Sequence, residues 1–273
     1  MDPVFDPESS SLVAVLLLAV LQGVAEFLPI SSSGHLVLGR SLLGMKDVGL
    51  TFDVALHVGT LVAVLVAYRA DVWSLLRGLL RGEWRLPIWL VVASVPAAIL
   101  GIGADDFFEQ ASNNTRVVGI GLLVTSCLLA LGERSSRKHK VSSVEDSQEV
   151  PPLWMALVIG VAQAAALVPG VSRSGSTIAA GLMLGLAGTR AARLSFLMSL
   201  IAVGGAAVLK LPDAMEVGFG SVSVPLMGAG VLVAALTGLA SLRLLLMFLR
   251  RRSLMPFVIY TAILGLLTLL LGE

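Results

Sequence analysis

A glutamate, three consecutive serines and a histidine lie within ten residues of a strongly apolar part of the sequence. The acid is Glu26, and Gln22 precedes it by four residues, so the two side chains share one face of a helix. A carboxylate inside a membrane segment is costly and usually functional. Ser32 precedes His35 by three residues, a spacing that suits a hydroxyl nucleophile and its base. The alternative for each serine is that it caps the helix that follows.

A second polar group surrounds an arginine. Arg173 lies among hydroxyl and glycine residues shortly after a proline, at the expected start of a helix. A guanidinium, several hydroxyl donors and the free N–H groups of a helix N-terminus favour an anion, and phosphate is the natural candidate. The alternative is that Arg173 only neutralises Glu26 in a structural ion pair. The group consists of Pro169, Gly170, Val171, Ser172, Arg173, Ser174, Gly175, Ser176 and Thr177.

Three other polar residues lie in apolar runs. Asp53 and His57 are four residues apart and share one helical face, and they fit either a supporting role beside the site or a purely structural one. Arg243 lies seven residues before a basic cluster and is expected to extend its charged end toward the membrane surface.

The composition indicates that these polar groups lie in a membrane protein. Of the 273 residues, 56% are hydrophobic and only 14% are charged, whereas an ordinary soluble domain has about 25% charged residues. The net charge of +1 also excludes the usual basic nucleic-acid binder. The single cysteine, Cys127, rules out an intramolecular disulfide and a metal site built from cysteines.

Six apolar runs are long enough to cross a bilayer, with tilt where they are short. Two more runs, 12–28 and 153–168, each stop at a proline, pass through a Ser/Gly-rich stretch and resume as a short apolar segment, 34–44 or 177–188. Such a break is tolerated in a membrane only where protein or a wet cavity surrounds it. We therefore predict two re-entrant helix pairs. The six crossings are expected at 50–68, 86–103, 116–132, 190–209, 224–249 and 256–271.

The two breaks are related by an internal repeat. A shift of 141 residues superimposes Gln22 on Gln163, Ser31 on Ser172 and Gly34 on Gly175. Each half then contains one re-entrant pair and three crossings, and because three is odd the second half is inverted. The predicted fold is an all-α polytopic membrane protein with six transmembrane helices and two re-entrant pairs in an inverted-topology repeat. One membrane domain comprises a first repeat (1–132), a linker (133–152) and a second repeat (153–273).

The loop charges predict the orientation of this arrangement. Thirteen basic residues fall on one face and four on the other, and the positive-inside rule assigns the rich face to the cytoplasm. Both termini are then outside and the linker is cytoplasmic. The rich face has Arg69, Arg77, Arg81, Arg85, Arg134, Arg137, Lys138, Lys140, Arg190, Arg193, Arg250, Arg251 and Arg252, and the other has Arg40, Lys46, Arg116 and Lys210.

The two polar segments resemble the motifs of a known family. Gln22–His35 resembles the (E/Q)xxxE motif and following Ser/His residues of bacterial undecaprenyl-diphosphate phosphatases of the bacitracin-resistance type, and Pro169–Thr177 resembles their PGxSRSxxT motif. Gln22 occupies a motif position that accepts either Glu or Gln, which disfavours schemes requiring two carboxylates.

The resemblance implies an integral hydrolase of the bacterial cytoplasmic (inner) membrane, which converts undecaprenyl diphosphate to undecaprenyl phosphate and inorganic phosphate and so recycles the lipid carrier of peptidoglycan synthesis. Bacitracin is expected to compete for this substrate, and a homodimer is left open. A divalent cation, Mg²⁺ or Ca²⁺, is implied, with Glu26 as its ligand, either alone or together with Gln22. The competing interpretation is a polyprenyl-phosphate flippase or anion transporter, because inverted repeats with broken helices are common in transporters.

The same resemblance implies roles for individual residues. Glu26 would assist the metal or the proton transfer, Ser32 would be the nucleophile or a phosphate contact, and His35 would be the general base. Arg173 would hold the diphosphate. The expected diphosphate-binding residues are Ser31, Ser33, Gly34, Ser172, Arg173, Ser174, Gly175 and Thr177. Covalent phosphoserine formation and direct attack by water both remain open.

Overall fold

The computed structural model describes residues 7–45, 50–112, 114–138, 150–217, 222–250 and 253–271. Within these ranges the chain forms twelve α-helices and no strand. The predicted all-α class is therefore confirmed. The helices are α1 (Pro7–Phe27), α2 (Ser32–Leu43), α3 (Leu50–Ala67), α4 (Arg69–Leu80), α5 (Arg85–Gly103), α6 (Asp105–Ser112), α7 (Thr115–Lys138), α8 (Leu153–Ala165), α9 (Arg173–Met183), α10 (Gly188–Val217), α11 (Val224–Arg250) and α12 (Met255–Leu271).

Four of these helices, α5, α7, α10 and α11, are long and apolar enough to cross a membrane. Helix α3 meets that test only together with α4, and the two are bent by 78° at their junction. Helix α12 is apolar but has only 17 residues. Large apolar side chains are exposed along the spans, as expected for contact with lipid tails. The chain is thus a multi-pass membrane protein in which four of the six expected crossings reach full length.

Both predicted helix breaks are present. Helix α1 ends at Phe27 and α2 begins at Ser32, while α8 ends at Ala165 and α9 begins at Arg173. Each interruption contains the proline that cannot continue a helix, Pro29 or Pro169. The second short helix ends at Met183, five residues before the predicted end at 188, because a turn containing Gly185 at φ 85° separates it from α10.

Two short helices flank the spans. The segment between α3 and α5 mostly forms α4, and Asp71 of α4 binds Arg193 of α10 with an N–O distance of 2.5 Å. Helix α6 was not anticipated. Helix α7 continues to Lys138 and includes the first residues of the predicted linker, whereas residues 139–149, Lys46 and residues 1–6 lie outside the described ranges.

The broken helices are packed between the long ones. Helix α1 lies along α11, α8 lies along α5, and α7 lies along both α12 and α9. The larger hydrophobic core includes Phe27, Trp89 and Phe196, which are at most 1% exposed, and the Phe27 and Phe196 rings meet edge to face at 5.5 Å. These contacts fix the ends of the broken helices and so position the polar residues that begin or end them.

The second break is held tightly against α7, and one glycine makes this contact possible. Gly170 has φ 87°, and a Cβ atom on it would lie 2.1 Å from the Val118 carbonyl oxygen. Gly170→Ala is therefore expected to lower the free energy of unfolding by about 2–5 kcal/mol, through backbone strain and overpacking. Thermal unfolding in detergent measures this change. Gly228→Ala is the matched control, since nothing lies within 4 Å of its added Cβ, and equal stability of the two variants would contradict the prediction.

Candidate active site

The carboxylate of Glu26 is the centre of a buried polar cluster. Its Oε2 accepts hydrogen bonds from Gln22 Nε2 at 3.1 Å and from Ser32 Oγ at 2.7 Å. Its Oε1 accepts a charge-assisted bond from Arg173 Nη2 at 2.5 Å. The Glu26 side chain is 7% exposed and that of Arg173 is 15% exposed. Four residues singled out in the sequence, from both breaks, therefore meet at one carboxylate.

These residues meet because each lies at a helix end. Glu26 is in the last turn of α1, Ser32 is the first residue of α2, and Arg173 is the first residue of α9. The breaks also touch directly, since Ser174 Oγ donates to the Leu28 carbonyl oxygen at 3.3 Å. The positive ends of the α2 and α9 dipoles consequently lie next to the cluster, which favours negative charge there.

Two of the candidate serines are helix caps. Ser31 Oγ accepts a hydrogen bond from Gly34 N at 3.3 Å, and Ser172 Oγ accepts one from Gly175 N at 3.0 Å. The capping alternative is thus confirmed for Ser31, and Ser172 caps α9 in the same way. Ser31 has φ 74°, a conformation that costs a non-glycine residue about 1–3 kcal/mol and is found mostly at functional sites.

Two other hydroxyls of the second break, those of Ser174 and Thr177, bind within the protein. Ser174 lies 3.2 Å from Ser172, and Thr177 Oγ1 donates to the Arg173 carbonyl at 2.8 Å and lies 2.6 Å from Ser195 Oγ. These hydroxyls hold the first turn of α9 in place. The Ser33 side chain is exposed, and its Oγ lies 3.3 Å from Ser31 Oγ.

His35 does not bind Ser32 in this structure. Its Nδ1 lies 2.7 Å from the Ser31 carbonyl oxygen, and its Nε2 lies 2.7 Å from the hydroxyl of Tyr260 on α12. Ser32 instead donates to Glu26. No sequence pattern pointed to Tyr260, which is 225 residues from His35 and lies in an apolar helix.

His57 lies beside the same carboxylate. Its Nε2 is 3.8 Å from Glu26 Oε2, and its Nδ1 is 2.8 Å from the Asp53 carbonyl oxygen. The Asp53 carboxylate in turn forms an ion pair with Arg40 of α2. This network connects α3 to the first break. Asp53 and His57, whose role could not be decided from the sequence, therefore lie next to the cluster.

One arm of the Arg173 guanidinium has no partner in the described part of the protein. Nη2 binds Glu26, whereas Nη1 is buried without a hydrogen bond. A buried donor without a partner is costly, and a charged one more so. Nη1 is therefore available to an anion that enters the cluster, without loss of the Glu26 contact.

The site offers hard oxygen donors for a metal ion but only a partial set. No group of three or more His, Cys, Asp or Glu side chains that could hold a metal is found among the described residues. The Gln22 Oε1 atom is buried without a partner, next to the Glu26 carboxylate. One carboxylate and one amide oxygen suit Mg²⁺ or Ca²⁺ when substrate phosphates and water complete the ligand shell.

Comparison with known proteins matches this chain over nearly its whole length. The profile of the family described as bacitracin resistance protein BacA matches residues 15–267. The undecaprenyl-diphosphatase of Syntrophotalea carbinolica is 43% identical over 262 residues, which cover 93% of this chain and 97% of that protein. Those of Rubrobacter xylanophilus (42% identical; 91% of this chain, 94% of that protein) and Trichlorobacter lovleyi (44%; 93% and 94%) are similar to it as well. With both motif segments inside the matched region, this chain belongs to the BacA family of bacitracin resistance proteins.

Proposed function

We propose that this protein hydrolyses undecaprenyl diphosphate to undecaprenyl phosphate and inorganic phosphate. The relatives are undecaprenyl-diphosphatases at 42–44% identity over more than nine-tenths of the chain. The observation that carries the proposal is the unpartnered Nη1 of Arg173. This buried cationic donor belongs to the same cluster as the Ser32 hydroxyl, which donates a hydrogen bond to the Glu26 carboxylate. Phosphoryl transfer needs this combination of charge stabilisation and an oriented nucleophile.

We assign the first chemical step to Ser32. Its Oγ is hydrogen-bonded to Glu26 Oε2 at 2.7 Å, within the range required of a nucleophile and its base. Attack of Oγ on the terminal phosphorus forms the O–P bond, breaks the bond to the bridging oxygen and transfers the Ser32 proton to Glu26. Undecaprenyl phosphate leaves, and Arg173 Nη1 stabilises the charge on the transferred phosphoryl group.

We assign the second step to His35, the group implied as general base. Water attacks the phosphoserine, inorganic phosphate leaves, and Ser32 recovers a proton from Glu26. The proton of the attacking water must pass to a base, and Glu26 already holds the proton from the first step. His35 supplies that base within one helical turn of Ser32. The N-terminal turns of α2 and α9, with Ser31, Ser33, Gly34, Ser172, Ser174, Gly175 and Thr177, form the expected cradle of the diphosphate.

We further propose that a divalent cation accompanies the diphosphate. Glu26 and Gln22 Oε1 would hold it on the protein side, and the bound cation would neutralise phosphate charge during transfer.

The proposed activity is tested by phosphate release from purified protein with undecaprenyl diphosphate, with and without EDTA and with Mg²⁺ or Ca²⁺ restored. Release of one phosphate per substrate, lost with EDTA and regained with the cation, is the expected result. Binding of the lipid without phosphate release under any of these conditions would instead indicate a lipid carrier.

Bacitracin added to the same assay is expected to lower the rate of phosphate release, because it sequesters the lipid diphosphate. Light scattering on the same sample measures the molar mass and so tests whether the protein is a homodimer.

We propose the inverted-repeat arrangement, with repeats at 1–132 and 153–273, for the whole molecule. Two pairs of observations support it. Helix α1 packs on α11 as α8 packs on α5, which are corresponding elements of the two halves. Ser31 and Ser172, aligned by the 141-residue shift, each cap a helix through the N–H of the glycine three residues later.

The proposed orientation gives a direct prediction. With both termini outside the bacterial inner membrane, reporters fused within residues 139–149 are expected to score as cytoplasmic and those at either terminus as external. The physical reason is the bias of Lys and Arg toward one face. A reporter in the loop between α3 and α5 is the matched control and should also be cytoplasmic. An external signal from the 139–149 fusions would reverse the orientation.

A further inference from the structure

We propose that Tyr260 positions His35 and is the hydroxyl through which a proton reaches the His35 ring. This inference rests on the proposed phosphatase function and deepens it. Tyr260 belongs to the last helix of the second repeat, whereas His35 belongs to the first break. Neither the motifs nor the spacing of polar residues assigns Tyr260 any role.

The hydrogen bonds of His35 determine which nitrogen is the base. The Ser31 carbonyl oxygen can only accept, so the His35 Nδ1 at 2.7 Å from it must have the hydrogen. In the neutral ring Nε2 then has the lone pair, and the Tyr260 hydroxyl at 2.7 Å donates to it. The two rings are nearly parallel, with an interplanar angle of 16° and centroids 5.6 Å apart. The Ser31 carbonyl thus fixes the tautomer, and Tyr260 fixes the orientation of the ring.

The two residues differ in exposure. His35 is 6% exposed, whereas Tyr260 is 44% exposed. Because Nε2 is bonded to the Tyr260 hydroxyl, we route the proton to the buried ring through the more exposed residue. When water attacks the phosphoserine, the Tyr260 oxygen accepts a proton from the water as its own proton moves to Nε2. Tyrosine ends unchanged, the imidazole gains one proton, and no other reactant is required.

The two chemical steps therefore use two different bases. Glu26 accepts the Ser32 proton in the first step, because Ser32 is bound to it and not to His35. The His35–Tyr260 pair acts on water in the second step. Removal of the Tyr260 hydroxyl should therefore slow the release of inorganic phosphate. It should leave the first release of undecaprenyl phosphate unchanged.

The test compares Tyr260→Phe, His35→Ala and the double variant in rapid-mixing assays that follow both products. We expect Tyr260→Phe to lower the steady rate of phosphate release about 10- to 100-fold, a loss typical of removing the orienting partner of a functional histidine. KM should change little, and the initial burst of undecaprenyl phosphate should persist. The double variant should be no slower than His35→Ala, because both changes interrupt one path.

Tyr68→Phe is the matched control. It is the other tyrosine of the sequence, and its buried hydroxyl has no partner among the described residues. Its rate should equal that of the wild type. The proposal is overturned if Tyr260→Phe loses less than threefold in rate, abolishes the initial burst of undecaprenyl phosphate, or multiplies the loss caused by His35→Ala.

A second measurement separates this proposal from the phosphatase assignment. The ¹⁵N chemical shifts of His35, assigned by comparison with His35→Ala, report its tautomer without any turnover. Tyr260→Phe should shift the Nε2 signal, while Tyr68→Phe should not. If the wild type releases no phosphate but this shift occurs, the phosphatase assignment fails and the positioning role stands; an unchanged signal would disprove the hydrogen bond itself.

Discussion

Ser32→Ala is expected to lower turnover of undecaprenyl diphosphate by about 10⁴-fold or more, the scale on which loss of a nucleophile acts. The alanine retains the N-terminal turn of α2 but removes the oxygen that is bound to Glu26 at 2.7 Å. Steady-state phosphate release measures the loss, and lipid binding measured on the same sample should be retained.

Ser199→Ala is the appropriate control for that substitution. Ser199 is buried, and its hydroxyl donates to the Phe196 carbonyl oxygen within its own helix. Its removal should leave turnover unchanged. If Ser32→Ala retained more than about a tenth of the wild-type rate, Ser32 would orient the phosphate and water would be the attacking group.

Arg173→Lys is expected to lower kcat/KM by about 10²–10³-fold, although the charge is conserved. The Arg173 guanidinium uses its two terminal nitrogens differently. Nη2 donates a hydrogen bond to Glu26, and Nη1 is free to bind phosphate. Lysine is a single point charge and cannot make both contacts in the same geometry. Phosphate release over a range of lipid concentrations measures the change.

The control for this change is Arg243→Lys, because Arg243 is exposed on α11 and lies in a cleft of about 410 Å³ with Leu246, Met247 and Arg250. Its activity should match the wild type. Near-normal hydrolysis by Arg173→Lys would mean that Arg173 contributes only charge to Glu26, which is the structural ion pair considered from the sequence.

Much of the local structure is predictable because short-range rules determine it. The four-residue spacing of Gln22 and Glu26 gives the 3.1 Å bond between them. The prolines fix both helix breaks, and the serine before each short helix is its cap. The ion pair of Glu26 with Arg173 was also foreseeable, because two opposite charges in an apolar environment favour each other.

Contacts between distant helices were not predictable from spacing. Ser32 and His35 are three residues apart, yet their side chains bind Glu26 and Tyr260 respectively. The position of α12 beside the first break decides the His35 partner, and no local pattern encodes it. The placement of His57 at 3.8 Å from Glu26 likewise depends on how α3 packs. Helix α6 escaped prediction because it is only eight residues long and has little apolar content.

The two arms of Arg173 have a consequence for inhibitor chemistry. Because Nη2 is already bound to Glu26, a competitor that offers one anionic oxygen to Nη1 leaves the ion pair intact. A neutral isostere of the diphosphate would leave Nη1 unsatisfied, as it is in the free protein, and would forgo the about 1–3 kcal/mol gained when this donor is paired. Compounds with a phosphonate or similar monoanionic head on a prenyl-like tail should therefore bind better than uncharged analogues of equal length.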